Sequence, residues 1–236
     1  MKISYSFSVV HEDVLPCWNE LYSLLTVYFS SGKKYSINLD SGIQSLPLDK
    51  INELIQNGLS SERFLGLSNY DETGRLAEKI SFFPISKHVT ISFPESLLLP
   101  SKGVFSDAIS SRCSMVNLCE YNDTTNYRAS LREYFTPPSS NIYAAPGLSN
   151  IRDGHLQGVA SDMWFSEKFW QYASCSKQEL VEQDCLTVRE LENGVIHVNA
   201  WPESFSSAEG EQGVVQRRLL KLLFNIDENN PFGKFS

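Results

Sequence analysis

The residues of this chain that could do chemistry stand at few productive spacings. Asp153-Gly154-His155 brings a carboxylate and an imidazole close together, as the start of a metal site would. A full shell needs a third and a fourth ligand from remote positions, and a turn built on Asp and Gly accounts for the same letters. His197 falls mid-strand on the face shared by Val195 and Asn199. A general base needs an orienting carboxylate that spacing does not supply, so His197 reads as a hydrogen-bonded sheet-face residue. The serines form no G-x-S-x-G elbow. No Asp or Glu is followed two positions later by Lys, the pairing that restriction-type nucleases use to hold metal and activate water. No cofactor fingerprint is present, and the expectation is no cofactor, no metal and no catalytic set.

The five cysteines, Cys17, Cys113, Cys119, Cys175 and Cys185, are scattered and include no C-x-x-C pair. Free buried thiols in a reducing compartment fit this pattern, with a Cys-His nucleophile left open because its partners meet only in space. A net charge of -8 argues against a protein that grips nucleic acid phosphates. Between Gln178 and Glu211 eight carboxylates (Glu179, Glu182, Asp184, Glu190, Glu192, Glu203, Glu209, Glu211) face the single Arg189. That stretch is a candidate docking surface for a cationic partner, and equally an ordinary solvated face.

The run HVNAWPESFSSAEGEQGVVQRRLLKLLF poses the sharpest question, because its Gly-Glu-Gln-Gly turn precedes a helix. A phosphate cradle needs open amides and nearby cations, whereas this turn carries Glu209 and Glu211 and no adjacent Lys or Arg. Ser206 and Glu209 stand at the spacing of a capping box, and Arg217, Arg218 and Lys221 lie toward the opposite end, where a helix dipole favours cations. The turn therefore reads as a helix cap, with Val215, Leu219, Leu222 and Leu223 as the buried stripe and Val214 and Phe224 at its edges.

The elements that must carry these residues follow from periodicity. Ile3, Tyr5, Phe7 and Val9 alternate as in a half-buried strand, and a helix is expected from Leu15 to Phe29, ended by Gly32. A short strand over Tyr35–Leu39 and a helix in LDKINELIQNG, stopped at Gly58, come next. Phe64–Leu67 and Leu76–Phe83 flank a turn, and HVTISFPES gives another strand. Val104–Leu118 and Asn126–Phe135 read as helical, and TPPSSNIYAAPGLSN as a connection. Val159–Phe165 reads as strand and SEKFWQYA as a short helix capped by Ser166. Cys185–Leu191 and Val195–Trp201 flank Glu-Asn-Gly, a hairpin expected to close through a type I′ turn.

The fold class is α+β: a mixed or antiparallel sheet with helices packed mainly on one face. Residues 1–236 read as a single domain, and the echo between HVTISFPES and HVNAWPES leaves open two similar halves, 1–120 and 150–236, joined by 121–149. No run is long enough to span a bilayer, and the N-terminus reads as a strand, which implies a cytoplasmic protein. Trp164, Phe165, Phe169, Trp170 and Tyr172 crowd one short segment, so some must be core while one can be left to anchor an interface.

GVIHVNAWPESFSSAEGEQGVVQRRLLKLLF, preceded by DMWFSEKFWQYA, resembles the C-terminal part of bacterial polymorphic-toxin immunity proteins, specifically the immunity protein 52 family. Trp201-Pro202-Glu203, Phe205, the Ser207-to-Gln212 turn and Arg217-Arg218-Leu219 carry the likeness, which covers the C-terminal part of the chain. The resemblance implies a non-enzymatic antitoxin that binds and neutralises a cognate toxin, commonly a nuclease, delivered by a secretion system such as type VI. No inhibitory residue motif comes with it. From the residues themselves, Asp162, Trp164, Glu190, Glu192, Trp201, Glu203, Glu209 and Glu211 are the candidate partner-binding set, with no nucleic acid or membrane contact expected. A hydrolase or transferase with a dispersed active site is the alternative, and an adaptor in a secretion or phage assembly a third.

Overall fold

A computed structural model describes residues 2–10, 14–28, 33–39, 41–58, 65–70, 73–74, 76–83, 87–94, 102–122, 150–152 and 155–227. Asn126–Phe135, most of the Pro-rich connection and Asp153 lie outside them.

The chain begins with β1 (Lys2–Val9), α1 (Val14–Tyr28), β2 (Lys34–Leu39), β3 (Gly42–Pro47) and α2 (Leu48–Gln56). It continues with β4 (Leu65–Tyr70), β5 (Leu76–Phe83), β6 (His88–Pro94), α3 (Lys102–Arg112) and β7 (Met115–Asn122). The C-terminal part holds β8 (Asn150–Arg152), β9 (His155–Gln157), β10 (Asp162–Phe165), a 3-10 turn (Glu167–Gln171) and α4 (Lys177–Val181). It ends in β11 (Thr187–Glu190), β12 (Ile196–Asn199) and α5 (Gly210–Phe224).

Ten strands join in one open sheet, ordered β11-β12-β10-β7-β1-β6-β5-β4-β2-β3, while β8 and β9 pair separately. Every strand pair is antiparallel. The fold is thus α+β with an unclosed antiparallel sheet and helices alongside it. Strand alternation divides the apolar residues between two faces. Ile3, Tyr5, Phe7 and Val9 of β1 form one core with α1, α2 and α3, whose buried contributions include Trp18, Leu21, Leu25, Ile51, Ile55, Phe105 and Ile109. On the other face Val116, Cys119 and Tyr121 of β7, Met163 and Phe165 of β10, and Ile196 and Val198 of β12 pack under α5.

Several elements depart from their sequence reading, among them β8, β9 and α4, none of which was foreseen. The helix expected over Val104–Leu118 stops at Arg112, and the rest is the central strand β7, whose burial on both faces hides the period-2 signal. β3 was not foreseen: it is an edge strand with four exposed residues, and half-buried alternation is absent there. The Glu192-Asn193-Gly194 hairpin is present, but only Gly194 has a positive φ, at 79°. Gly194 N–H donates to Leu191 O and Leu191 N–H to Val195 O, the pattern of a three-residue loop with a left-handed glycine rather than type I′. Asn193 is drawn away by its own side chain, which donates to Ser110 O at 2.9 Å and ties the hairpin to the end of α3.

Candidate functional site

Two rows of side chains cross the sheet on the α3 face. One runs Tyr5, Glu120, Asp162, Asn199, Thr187 in register through β1, β7, β10, β12 and β11. The adjacent row runs Phe7, Leu118, Trp164, His197, Arg189. The first is polar and the second apolar at its centre and basic at its rim. Their meeting point is where the hydrogen bonds concentrate.

Asp107 of α3 anchors the arrangement. It accepts from the Trp164 indole N–H at 3.1 Å, and one Arg189 guanidinium nitrogen donates to both its oxygens at 2.9 and 2.8 Å. Arg189 Nε donates to His197 Nδ1 at 2.9 Å, and His197 Nε2 lies 3.0 Å from Asp162 Oδ1. Asn199 donates to the same Asp162 oxygen at 3.0 Å and to the Trp201 carbonyl at 2.9 Å. The result is one chain, Trp164–Asp107–Arg189–His197–Asp162–Asn199–Trp201, spanning a helix and three strands.

The chemistry of that chain follows from Arg189 being a donor only. His197 Nδ1 must therefore accept, Nε2 carries the proton, and that N–H points at the Asp162 carboxylate. Both ring nitrogens are committed, and the imidazole stacks on Trp164 with centroids 4.5 Å apart. A general base needs a lone pair aimed at substrate, and His197 has none to offer in this arrangement. The ring acts as a rigid spacer that orients Asp162, whose side chain keeps 19% exposure against 13% for His197.

Behind this chain the environment is acidic and buried. Glu120, directly opposite Asp162, is buried and accepts from Ser106 Oγ at 3.3 Å. Burial first, then the Glu120 charge with a smaller push from Asp162, holds the Tyr5 phenol well above its usual range. The two carboxyls stand opposite one another across the strand pair, and His197, Asn199 and the Ser106 hydroxyl supply hydrogen-bond donors to them.

The eight candidate contact residues do not share one face. Asp162 lies on the α3 face, and Trp164 lies beside it but only 2% exposed, so it supports the site from beneath. Glu190 stands opposite Ile196, a residue of the other core, and therefore projects to the α5 side, where Lys177 pairs with it at 3.0 Å. Glu192 is exposed in the hairpin loop, and Glu203, Glu209 and Glu211 are exposed around the entry to α5. Trp201 is half-buried against the second core, with Phe205 at 6.4 Å. Within the wider acidic stretch, Glu179 closes a capping box with Ser176 and Glu182 accepts from Gln178 at 2.7 Å.

The Gly-Glu-Gln-Gly turn is a cap of a different make from the one its spacing suggests. Ser206 and Glu209 form no box: Glu209 is the N-cap residue and its side chain makes no cap bond. Instead Gln212 Oε1 accepts from the Ser206 and Ser207 amides at 2.8 and 3.1 Å, because a longer amide side chain reaches back over the incoming loop. A Cβ on Gly213 would stand 2.0 Å from Ala208 O, so this glycine admits the loop against the helix. The buried stripe is also rotated, to Leu219, Leu220, Leu223 and Phe224, with Val214 left exposed. Ser166 likewise precedes its 3-10 turn without a side-chain cap bond.

The half-site at His155 is occupied by packing. Its ring lies on Tyr172 at 4.7 Å with Phe224 beyond at 6.1 Å, and among the described residues no His, Cys, Asp and Glu cluster could hold a metal ion. All five cysteines are free and only Cys185 is exposed. No described helix is long and apolar enough to cross a membrane.

These features define an α+β protein with a helix-covered antiparallel sheet and a pre-organised polar corner. No protein-family model matches the sequence, and no curated protein matches it. In structure the chain is similar to the Pseudomonas aeruginosa T6SS protein PA0821, at TM-score 0.51 and 8% identity over 93% of this chain and 72% of that one. At that identity the likeness shows a common fold.

Proposed function

We propose that this protein is an immunity protein that binds a cognate toxin, a nuclease in the reading favoured here, and neutralises it by stoichiometric contact without turnover. The observation that carries the reading is the chain from Asp107 to Trp201. It fixes a partly exposed carboxylate at a sheet end through bonds that leave the imidazole no catalytic lone pair. A rigid carboxylate suits recognition of a cationic cleft, since no side-chain freedom is lost on docking. The resemblance of residues Val195–Phe224 to immunity proteins and the fold shared with a T6SS protein support the same reading.

The acidic residues supply two docking options, not one. Asp162 with the hairpin loop forms one face, and Glu190 with Glu203, Glu209 and Glu211 forms the α5 side. The experiment is co-expression of this chain with the product of its neighbouring gene. Growth arrested by the neighbour alone is rescued when both are present, and the two co-purify at one to one. Turnover by the isolated protein, surviving Asp162→Asn and lost with another substitution, would sink the proposal in favour of an enzyme.

A further inference from the structure

The two aspartates of the polar corner are held in opposite ways. Asp107 meets a guanidinium with both oxygens, since one Arg189 nitrogen donates to each of them at 2.9 and 2.8 Å. Asp162 commits one oxygen only. Its Oδ1 accepts from His197 Nε2 and from Asn199 Nδ2, each at 3.0 Å, and both donors are neutral. A carboxylate oxygen has two lone pairs, so Oδ1 is filled, while among the described residues no donor reaches Oδ2. The side chain keeps 19% exposure, and no Lys or Arg among the described residues pairs with it. The acidic residues on the α5 side differ: Glu190 already pairs with Lys177, and the exposed Glu209 makes no cap bond. A cation docking there must displace a lysine or immobilise a loose side chain, and at Asp162 it does neither.

We propose, resting on the reading of this chain as a toxin inhibitor, that the corner selects a lysine of the toxin over an arginine and takes its ammonium on Asp162 Oδ2. An arginine fork draws its advantage from two parallel bonds to the two oxygens of one carboxylate. With Oδ1 full, the fork reaches a single oxygen and that advantage is lost. An ammonium is a compact point charge with three donors. It gives one to Oδ2 and, beside a carboxylate that keeps partial contact with water, leaves the others solvated. His197 and Asn199 set the preference by filling Oδ1, not by touching the partner. The specificity therefore comes from the same bonds that hold the carboxylate in place.

The test is a double-mutant cycle on the complex with the product of the neighbouring gene, read as Kd by calorimetry, with circular dichroism to check that each variant is folded. Every lysine of that product is changed in turn to arginine. One such change is expected to weaken binding to the wild type about fivefold or more. Against Asp162→Asn, whose side-chain oxygen still accepts from His197, the same change is expected to cost less than about twofold. Asn199→Ala frees a lone pair on Oδ1 for the fork, and is expected to bind that arginine variant within about twofold of its lysine parent. A complex in which no lysine-to-arginine change costs more than about twofold overturns the preference and leaves the inhibitor reading standing. A cost that persists in full against Asp162→Asn, or in full against Asn199→Ala, does the same. A wild type that does not bind the neighbouring product overturns both.

Discussion

Arg189 Nε and His197 Nδ1, 2.9 Å apart on neighbouring strands, set the protonation pattern of the whole polar corner. A guanidinium can only donate, so the imidazole must accept on that side and present its single N–H to Asp162. Removing the ring leaves a guanidinium N–H and a carboxylate short of partners. His197→Ala is expected to cost about 1–3 kcal/mol in urea denaturation. An unchanged midpoint would show that the chain contributes no stability.

Gly213 and Gly194 make a matched pair of tests. Gly213→Ala forces a Cβ to within 2.0 Å of a backbone carbonyl, and the loop over α5 must move; the loss is expected at about 2 kcal/mol or more. At Gly194 there is open space, but φ is +79°, so Gly194→Ala costs only the left-handed backbone strain of about 1 kcal/mol. Thermal melts of the two variants should rank in that order.

Thiol reactivity should be confined to Cys185. Burial pushes Cys113 and Cys119 up to about 12 and Cys175 up to about 11, and drives Cys17 higher still. One thiol is expected to react rapidly at neutral pH, Cys185→Ser should abolish that phase, and the others should appear only on unfolding. Two fast thiols in the native protein would contradict the described packing.

His88 supplies a pH dependence with a definite sign. Burial lowers its pKa to about 4 from 6.5, so between those values the unfolded chain binds the extra proton. The stabilising contribution is present in full above about pH 6.5 and is lost as pH falls toward 4, a change of order 3 kcal/mol. In His88→Gln the slope of stability against pH over that window should flatten. A slope that is identical in both proteins would place the pH response elsewhere.

Reversing charge on one face at a time separates the two docking options. Asp162→Lys with Glu192→Lys alters the α3 side, while Glu190→Lys with Glu203→Lys and Glu211→Lys alters the α5 side. Association with the toxin proposed as partner, followed by stopped flow at several salt concentrations, should slow about tenfold or more for one set and lose its salt dependence. The other set should leave the rate within about twofold. Equal rates in all three proteins would exclude both faces.

Periodicity made the longer elements with one face toward water legible, though it missed the short α4, which buries only Leu180. α1 was expected at Leu15–Phe29 and lies at Val14–Tyr28, and β4 and β5 flank their turn as expected. It failed at β7, where Val116, Leu118, Cys119 and Tyr121 are all buried, and at β3, where nearly nothing is. Of the polar corner, parity alone puts Asp162 with Trp164, and His197 with Asn199. What no local pattern carries is the contribution of Asp107 and Ser106 from α3, because that depends on how a helix with almost no amphipathic signal settles over the sheet. Glu120 lies just past the expected helix Val104–Leu118, in the part of β7 for which no strand was read.

β7 feeds alternate side chains to opposite sides of the sheet: Leu118 and Glu120 toward α3, Cys119 and Tyr121 toward α5. A slip of one residue in its pairing would drive the Glu120 carboxylate into the oily layer beneath α5 and hand a phenol and a thiol to the other side. Mispaired intermediates are therefore penalised twice. The strand that joins the N-terminal and C-terminal parts of the chain therefore fixes the frame of its neighbours on both sides, β1 and β10.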